Sequence, residues 1–285
     1  EKFLFHSIDA IQDLYLIMLS SLIEICKKET IFLHKSSQKH LATPQERKPN
    51  EKFIKNSIFQ ILTENNSLSI ALENRKINNW TLNDDYILLL LNDIKQSKLY
   101  DKYMSNAINT FEEDKEFIVD LFMDVIVPNE KLYEYLEDNK LTWIDDIPLV
   151  NTHIIKQLKA IKPIEEGNFR VPKLFKDNED RDFVKDLFRK TILNEKELAK
   201  EYDDKTPNWD SDRIAEIDTI ILKMAICEFL KFPSIPVKVT LNEYLEVAKE
   251  YSTPKSSIFI NGILDNLVKE LQTSNRIVKV GRGLM

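Results

Sequence analysis

Glycine is almost missing. Only Gly167, Gly262, Gly281 and Gly283 occur in 285 residues. No G-x-G-x-x-G and no P-loop with its lysine can be written from them, so the usual backbone cradles for dinucleotides and nucleotide phosphates are excluded. Tight hairpins favour glycine at positive φ, and its scarcity argues against an all-β sandwich. Cysteine is just as sparse: Cys26 and Cys227 sit in helical-looking apolar segments and suggest buried thiols in a reducing compartment, not a disulfide. The four histidines, His6, His34, His40 and His153, show no H-E-x-x-H arrangement, and neither C-x-x-C nor G-x-S-x-G is present. His34 and His40 stand in polar sequence with no further ligand pattern around them, so no metal and no cofactor is expected. The longest apolar stretch, Leu14 to Ile25, is broken by Ser20, Ser21 and Glu24 and is too short to span a bilayer. Asp9 and Asp13 precede it where a signal peptide needs basic residues. The expectation is a soluble, cytoplasmic protein with no membrane partner and no catalytic constellation. The chain starts at Glu1 without an initiator Met, and residues upstream are expected to have been lost.

What is present is helical period. Apolar residues make up 43% of the chain, enough for a sizeable core, and 40 basic against 47 acidic residues leave a net charge of −7. Any nucleic-acid contact must therefore come from a local patch. From Ser7 to Lys28 the apolar residues follow three- and four-residue spacing and widen until the helix must be buried nearly all round. Lys35 to Asn50, with Pro44 and Pro49, reads as a loop, or as a helix end and a loop. Shifting the chain by 66 positions lays Glu113–Lys159 over Glu179–Ala225 without a gap, pairing Phe117 with Phe183, Leu132 with Leu198 and Trp143 with Trp209. A weaker copy pairs Phe53 with Phe117, Leu68 with Leu132 and Trp80 with Trp143. Each copy reads as a helix beginning at the Phe, a second short helix, then Trp and a further apolar helix. The Trp residues serve either as packing anchors where helices cross or as aromatic platforms for bases. Acid runs such as Glu112-Glu113-Asp114 and Glu179-Asp180 read as solvated helix starts. The Pro- and charge-rich stretch from Lys162 to Asp182 marks the domain boundary, giving a helical extension with repeats over 1–172 and a second helical domain over 173–285. The predicted fold class is all-α, helical bundles throughout.

In that second domain, Arg213 to Leu230 is helical by period, and Phe232-Pro233-Ser234-Ile235-Pro236 stops it. Thr240 with Glu243 three residues on predicts a capping box, and Ser256 or Ser257 is predicted to cap the last helix. The tail residues Arg276, Lys279 and Arg282 have no acidic neighbour in sequence. Over Pro233–Met285 there are 7 basic and 5 acidic residues, a local +2 on an acidic chain.

The block from Asp212 to Leu267 holds D-R-I-A-E-I-D-T-I-I-L-K-M-A-I-C-E-F-L, then P-S-I-P-V-K-V-T-L-N-E-Y-L-E-V-A-K-E-Y-S, then K-S-S-I-F-I-N-G-I-L-D. Over Asp180 to about Leu271 the chain resembles the NusB family of bacterial transcription antitermination factors, and its repeat-bearing front part is similar to the extended members from Bacteroidetes. The resemblance implies an all-helical fold that binds boxA RNA of ribosomal transcripts. It also implies assembly with the small-subunit ribosomal protein that doubles as NusE and with the RNA polymerase antitermination complex. An arginine-rich N-terminal helix used by that family for RNA is not seen among these residues. By resemblance Glu228 faces the ribosomal-protein partner, although as a residue it reads equally as a solvated helix carboxylate. For RNA the candidates are Lys255, Ser256 and Ser257, at a helix start whose free N–H groups suit phosphate, with Phe259 and Asn261 on the same helix. Phe259 reads alternatively as core, and Asn261 as a tie between helices. Gly262 inside a helix suggests the close approach of another helix or of RNA. The competing readings are a helical-repeat scaffold that binds only protein, and an accessory of RNA methyltransferases.

Overall fold

The computed structural model describes residues 1–163, 169–203 and 214–280, and every regular element among them is helical. The chain divides into two units, Lys2–Leu174 and Phe175–Met285, with Glu1 counted in the second.

The first unit is built on α1 (Lys2–Ser37). Every residue from Leu14 to Ile23 is buried, as an apolar sequence on all sides requires. The helix outruns its predicted span of Ser7–Lys28 at both ends. Part of the expected loop forms its last turns, and a further part forms α2 (Pro44–Arg47), closed by a Thr43–Glu46 capping box. There follow α3 (Ser57–Thr63), α4 (Asn66–Asn74), α5 (Asn79–Leu82), α6 (Asp84–Gln96), α7 (Lys98–Ser105), α8 (Phe111–Leu121), α9 (Glu130–Asn139) and α10 (Ile147–Ala160). A π-helical turn, Phe122–Ile126, continues α8, and a 3-10 turn, Leu141–Trp143, precedes α10.

Two tryptophans dock on α1 in the same way. Trp80 donates its indole N–H to the carbonyl of Ile17 at 2.9 Å, and Trp143 donates to the carbonyl of Ala10 at 2.8 Å. Seven residues are two helical turns, so both acceptors lie on one side of α1. Both rings are buried, which makes these two packing anchors and not base platforms. Asn65 and Asn129, each three residues before a matched leucine, cap α4 and α9 through the N–H of Leu68 and Leu132. Trp209 lies outside the described residues, and so does the local setting of the third copy's tryptophan.

The helices of the copies do not begin at their Phe. Phe53 precedes α3, which Asn56 caps, while Phe117 and Phe183 lie well inside helices capped by Thr110 and Asp177. The acid runs do open α8 and α11, but Asp114 is not solvated. It is buried and accepts from Ser57 N at 2.8 Å, Ser57 Oγ at 2.7 Å and Tyr103 OH at 2.6 Å.

The second unit contains α11 (Asn178–Leu193), α12 (Glu195–Asp203), α13 (Glu216–Lys231), α14 (Val237–Tyr251) and α15 (Pro254–Thr273). Its core gathers Leu187, Leu198, Leu222, Phe229, Ala248 and Leu264. Pro233 ends α13 as expected, but Pro236 is the N-cap of α14, so Thr240 lies inside the helix and forms no capping box. Likewise Thr253, and neither serine, caps α15: its hydroxyl accepts from Ser256 N at 3.2 Å, and Pro254 occupies the first turn where its missing N–H is harmless. Cys227 is buried, Cys26 is half-buried, and both are free thiols. Among the described residues no helix is long and apolar enough to cross a membrane, and no cluster of three His, Cys, Asp or Glu could hold a metal ion.

Candidate nucleic-acid and partner interface

The start of α15 sorts the RNA candidates by helical geometry. Residues 256, 260, 263 and 264 point into the core, so Ser256 is buried and its hydroxyl shares a 3.0 Å hydrogen bond with that of Thr253. Ser257 is half-buried and donates back to the carbonyl of Pro254 at 3.0 Å. Both hydroxyls are thus already engaged. Lys255 is exposed, and no ion pair engages it among the described residues. One turn on, Ile258 is 76% exposed, and Gly262 follows one turn later with nothing within 4 Å of where a Cβ would stand. Among the described residues no other helix packs against the Cβ side of Gly262, so the close helix approach its presence suggested is not seen there. Phe259 is half-buried against the core. Asn261 is half-buried, and no hydrogen bond among the described residues ties it to another helix. The outward stripe is therefore Lys255, Ile258 and Gly262, flanked by the half-buried Phe259 and Asn261. Ile258 was not legible as exposed, because an isoleucine in a helical period reads as core.

Glu228 is not a solvated carboxylate. It is 5% exposed, near the end of α13, and its two oxygens accept from Thr240 Oγ1 at 2.7 Å and Tyr244 OH at 3.1 Å. These donors stand four residues apart on one face of α14, so Glu228 ties α13 to α14. Burial pushes its carboxyl above the usual glutamate range, and the two hydroxyl donors pull it part of the way back. The facing Tyr244 hydroxyl is raised as well, by burial first and then by the Glu228 charge. At the other end of the same helix pair, Ser252 Oγ donates to the buried Asp218 carboxylate at 2.6 Å.

The positive excess of this segment is narrower than its composition implies. Arg276 is held bidentately by Glu201, Lys249 pairs with Glu246, and Lys279 is turned onto backbone carbonyls. Arg282 lies outside the described residues. Lys238, Lys255 and Lys269 are the cations left without an ion pair among the described residues of the segment.

The model of the NusB family matches residues 154–269, from within α10 to the last turns of α15. The transcription antitermination protein NusB of Salinibacter ruber is 43% identical over 116 residues, which is 41% of this chain and 72% of that protein. The protein of the same name from Chloroherpeton thalassium is 38% identical over 105 residues, 37% of this chain and 50% of that protein. That of Clostridium kluyveri is 36% identical over 125 residues, 41% of this chain and 80% of that protein. No solved structure matches.

Proposed function

The chain belongs to the NusB family, and from that premise we propose that it is a non-catalytic transcription antitermination factor of the cytoplasm. It binds boxA-type RNA together with the small-subunit ribosomal protein NusE, within the antitermination complex on RNA polymerase. The observation that carries this reading is the match of α10 to α15 to proteins named for antitermination. The outward stripe of α15 supports it. Lys255 supplies a cation for phosphate, Ile258 beside the half-buried Phe259 offers apolar surface to a base, and Gly262 lets a backbone come close. Asn261 adds an amide that has no hydrogen bond among the described residues and suits a base edge. Ser256 and Ser257 shape the helix start, and Glu228 sets the partner-facing end of α13.

The test is a titration with boxA-like RNA, with and without the ribosomal protein, at several salt concentrations. Lys255→Glu should weaken RNA binding and lower the salt slope by roughly one. Because the site is exposed, unfolding stability should stay within about 0.5 kcal/mol of wild type. Wild-type affinity and slope in this variant would leave Lys255 an ordinary surface lysine.

A further inference from the structure

Beyond α15 the chain doubles back. Asn275 has φ 53, the left-handed conformation that asparagine tolerates better than most residues. The N–H groups of Arg276 and Ile277 then reach the carbonyl of Leu271 at 2.8 and 3.3 Å and close the helix end. From there residues 276–280 run across other elements of the same unit. The Arg276 guanidinium forks onto both oxygens of Glu201 on α12, at 2.8 and 2.7 Å. Ile277 packs against the core. The Lys279 ammonium donates to the carbonyls of Phe232 at 2.9 Å and Glu228 at 3.3 Å, and the Val280 N–H donates to the carbonyl of Pro233 at 3.0 Å. The Glu228 and Phe232 carbonyls also accept from the N–H groups of Phe232 and Ile235, and the helix dipole favours a cation at this end. Lys279 supplies that cation from the tail.

We propose that residues 276–280 form an autoinhibitory strap over the end of α13 and the corner leading to α14, which a protein partner must lift to reach Glu228. This inference rests on the proposed role of Glu228 at the partner surface. Two observations carry it. The Lys279 ammonium sits on the Glu228 backbone carbonyl and acts electrostatically on its carboxylate, which Thr240 and Tyr244 enclose from the α14 side, so the strap covers this end of α13. Of the pieces around it, the strap is the most weakly held. Ile277 is its single residue packed on the core, Val278 and Val280 are exposed, and its other anchors are polar contacts for which water competes. By contrast α14 is held by the buried Thr240, Tyr244 and Ala248. A segment with few buried apolar contacts opens before the elements beneath it. A partner that binds only the strap-open form has its apparent affinity reduced by the fraction of open molecules.

The experiment is a titration of purified NusE-type ribosomal protein against the full chain, the double variant Arg276→Ala/Lys279→Ala, a chain ending at Asn275, and Glu228→Gln. The two strap variants should bind about three- to tenfold more tightly, as expected if only a minority of wild-type molecules are open. Unchanged or weaker binding in both overturns the strap, whatever Glu228→Gln does. Tighter binding of the strap variants with wild-type affinity in Glu228→Gln supports the strap and removes the carboxylate from the interface. Hydrogen exchange gives a readout that needs no partner. The Val280 amide of the wild-type chain should exchange faster than the amides in the middle of α13, and equally slow exchange would overturn a strap that lifts.

Discussion

At the scale of single residues, Glu228 shows how burial changes what a carboxylate can be. Its sequence setting, an A-x-x-E at the end of an apolar helix, fits a solvated glutamate as well as a contact residue. The structure instead gives it two hydroxyl donors and little water. Truncation to Ala would strand those donors, at a cost of about 1–3 kcal/mol for each buried hydroxyl left unpaired. Glu228→Gln keeps the shape and is the cleaner variant. Burial raises the folded-state pKa above the unfolded value, with Thr240, Tyr244 and Lys279 opposing that rise and Glu243 adding to it. A raised carboxyl contributes stability that is full below the unfolded pKa and is lost as pH rises through the folded one. Wild type should therefore lose stability relative to Glu228→Gln as pH rises above the ordinary glutamate value of about 4.3. Denaturation midpoints that run parallel for the two proteins over that range would show that the carboxyl is not raised.

At the scale of elements, helix existence was legible and helix ends were not. The period over Ser7–Lys28 announces α1, yet the helix continues to Ser37, because polar residues continue a ladder when nothing stops it. Capping was misplaced at α14 and α15 because Thr240, Ser256 and Ser257 are all good cap types. Pro254 settles the start of α15 by presetting φ for its first turn, and Pro236, in extended conformation, is the N-cap of α14. Gly262 gives this scale its prediction. It sits inside α15 with open space on its Cβ side, so Gly262→Ala should stabilise the protein by about 1 kcal/mol, the helix propensity difference. If RNA approaches the stripe there, the same variant should bind RNA more weakly while melting higher. Lower stability in a thermal melt would mean that the helix is strained at this position.

At the scale of the whole molecule, two cores with no residue in common divide the chain. Leu22 on α1 is fully buried in one and Phe229 on α13 is 1% exposed in the other. Leu22→Ala and Phe229→Ala should each cost about 3 kcal/mol. In calorimetry each is expected to lower one transition and leave the other in place. A single transition shifted equally by both would show that the units unfold as one. The matched positions of the second and third copies also diverge at this scale. Ile126 and Ile154 are fully buried in the first unit, whereas their counterparts Ile192 and Ile220 are 56% and 42% exposed in the second. Similar sequence here does not mean similar burial, because α1, which packs on α10 and receives both described tryptophans, belongs to the first unit alone.

By itself the sequence determined the helical class, the buried character of α1, the stop at Phe232–Pro236 and the motif order that marks the family. The first three follow from spacing and residue type along the chain, where neighbours in a helix are fixed by the 3.6-residue turn, and the last is a resemblance of motifs. Tertiary structure alone decided which polar groups are enclosed. Asp114 meets Ser57 and Tyr103, Glu228 meets Thr240 and Tyr244, and Lys279 lies on the carbonyls of Phe232 and Glu228. Those partners lie between 11 and 57 residues apart in the chain. No local pattern encodes them, because a hydrogen bond of that span depends on where two helices cross.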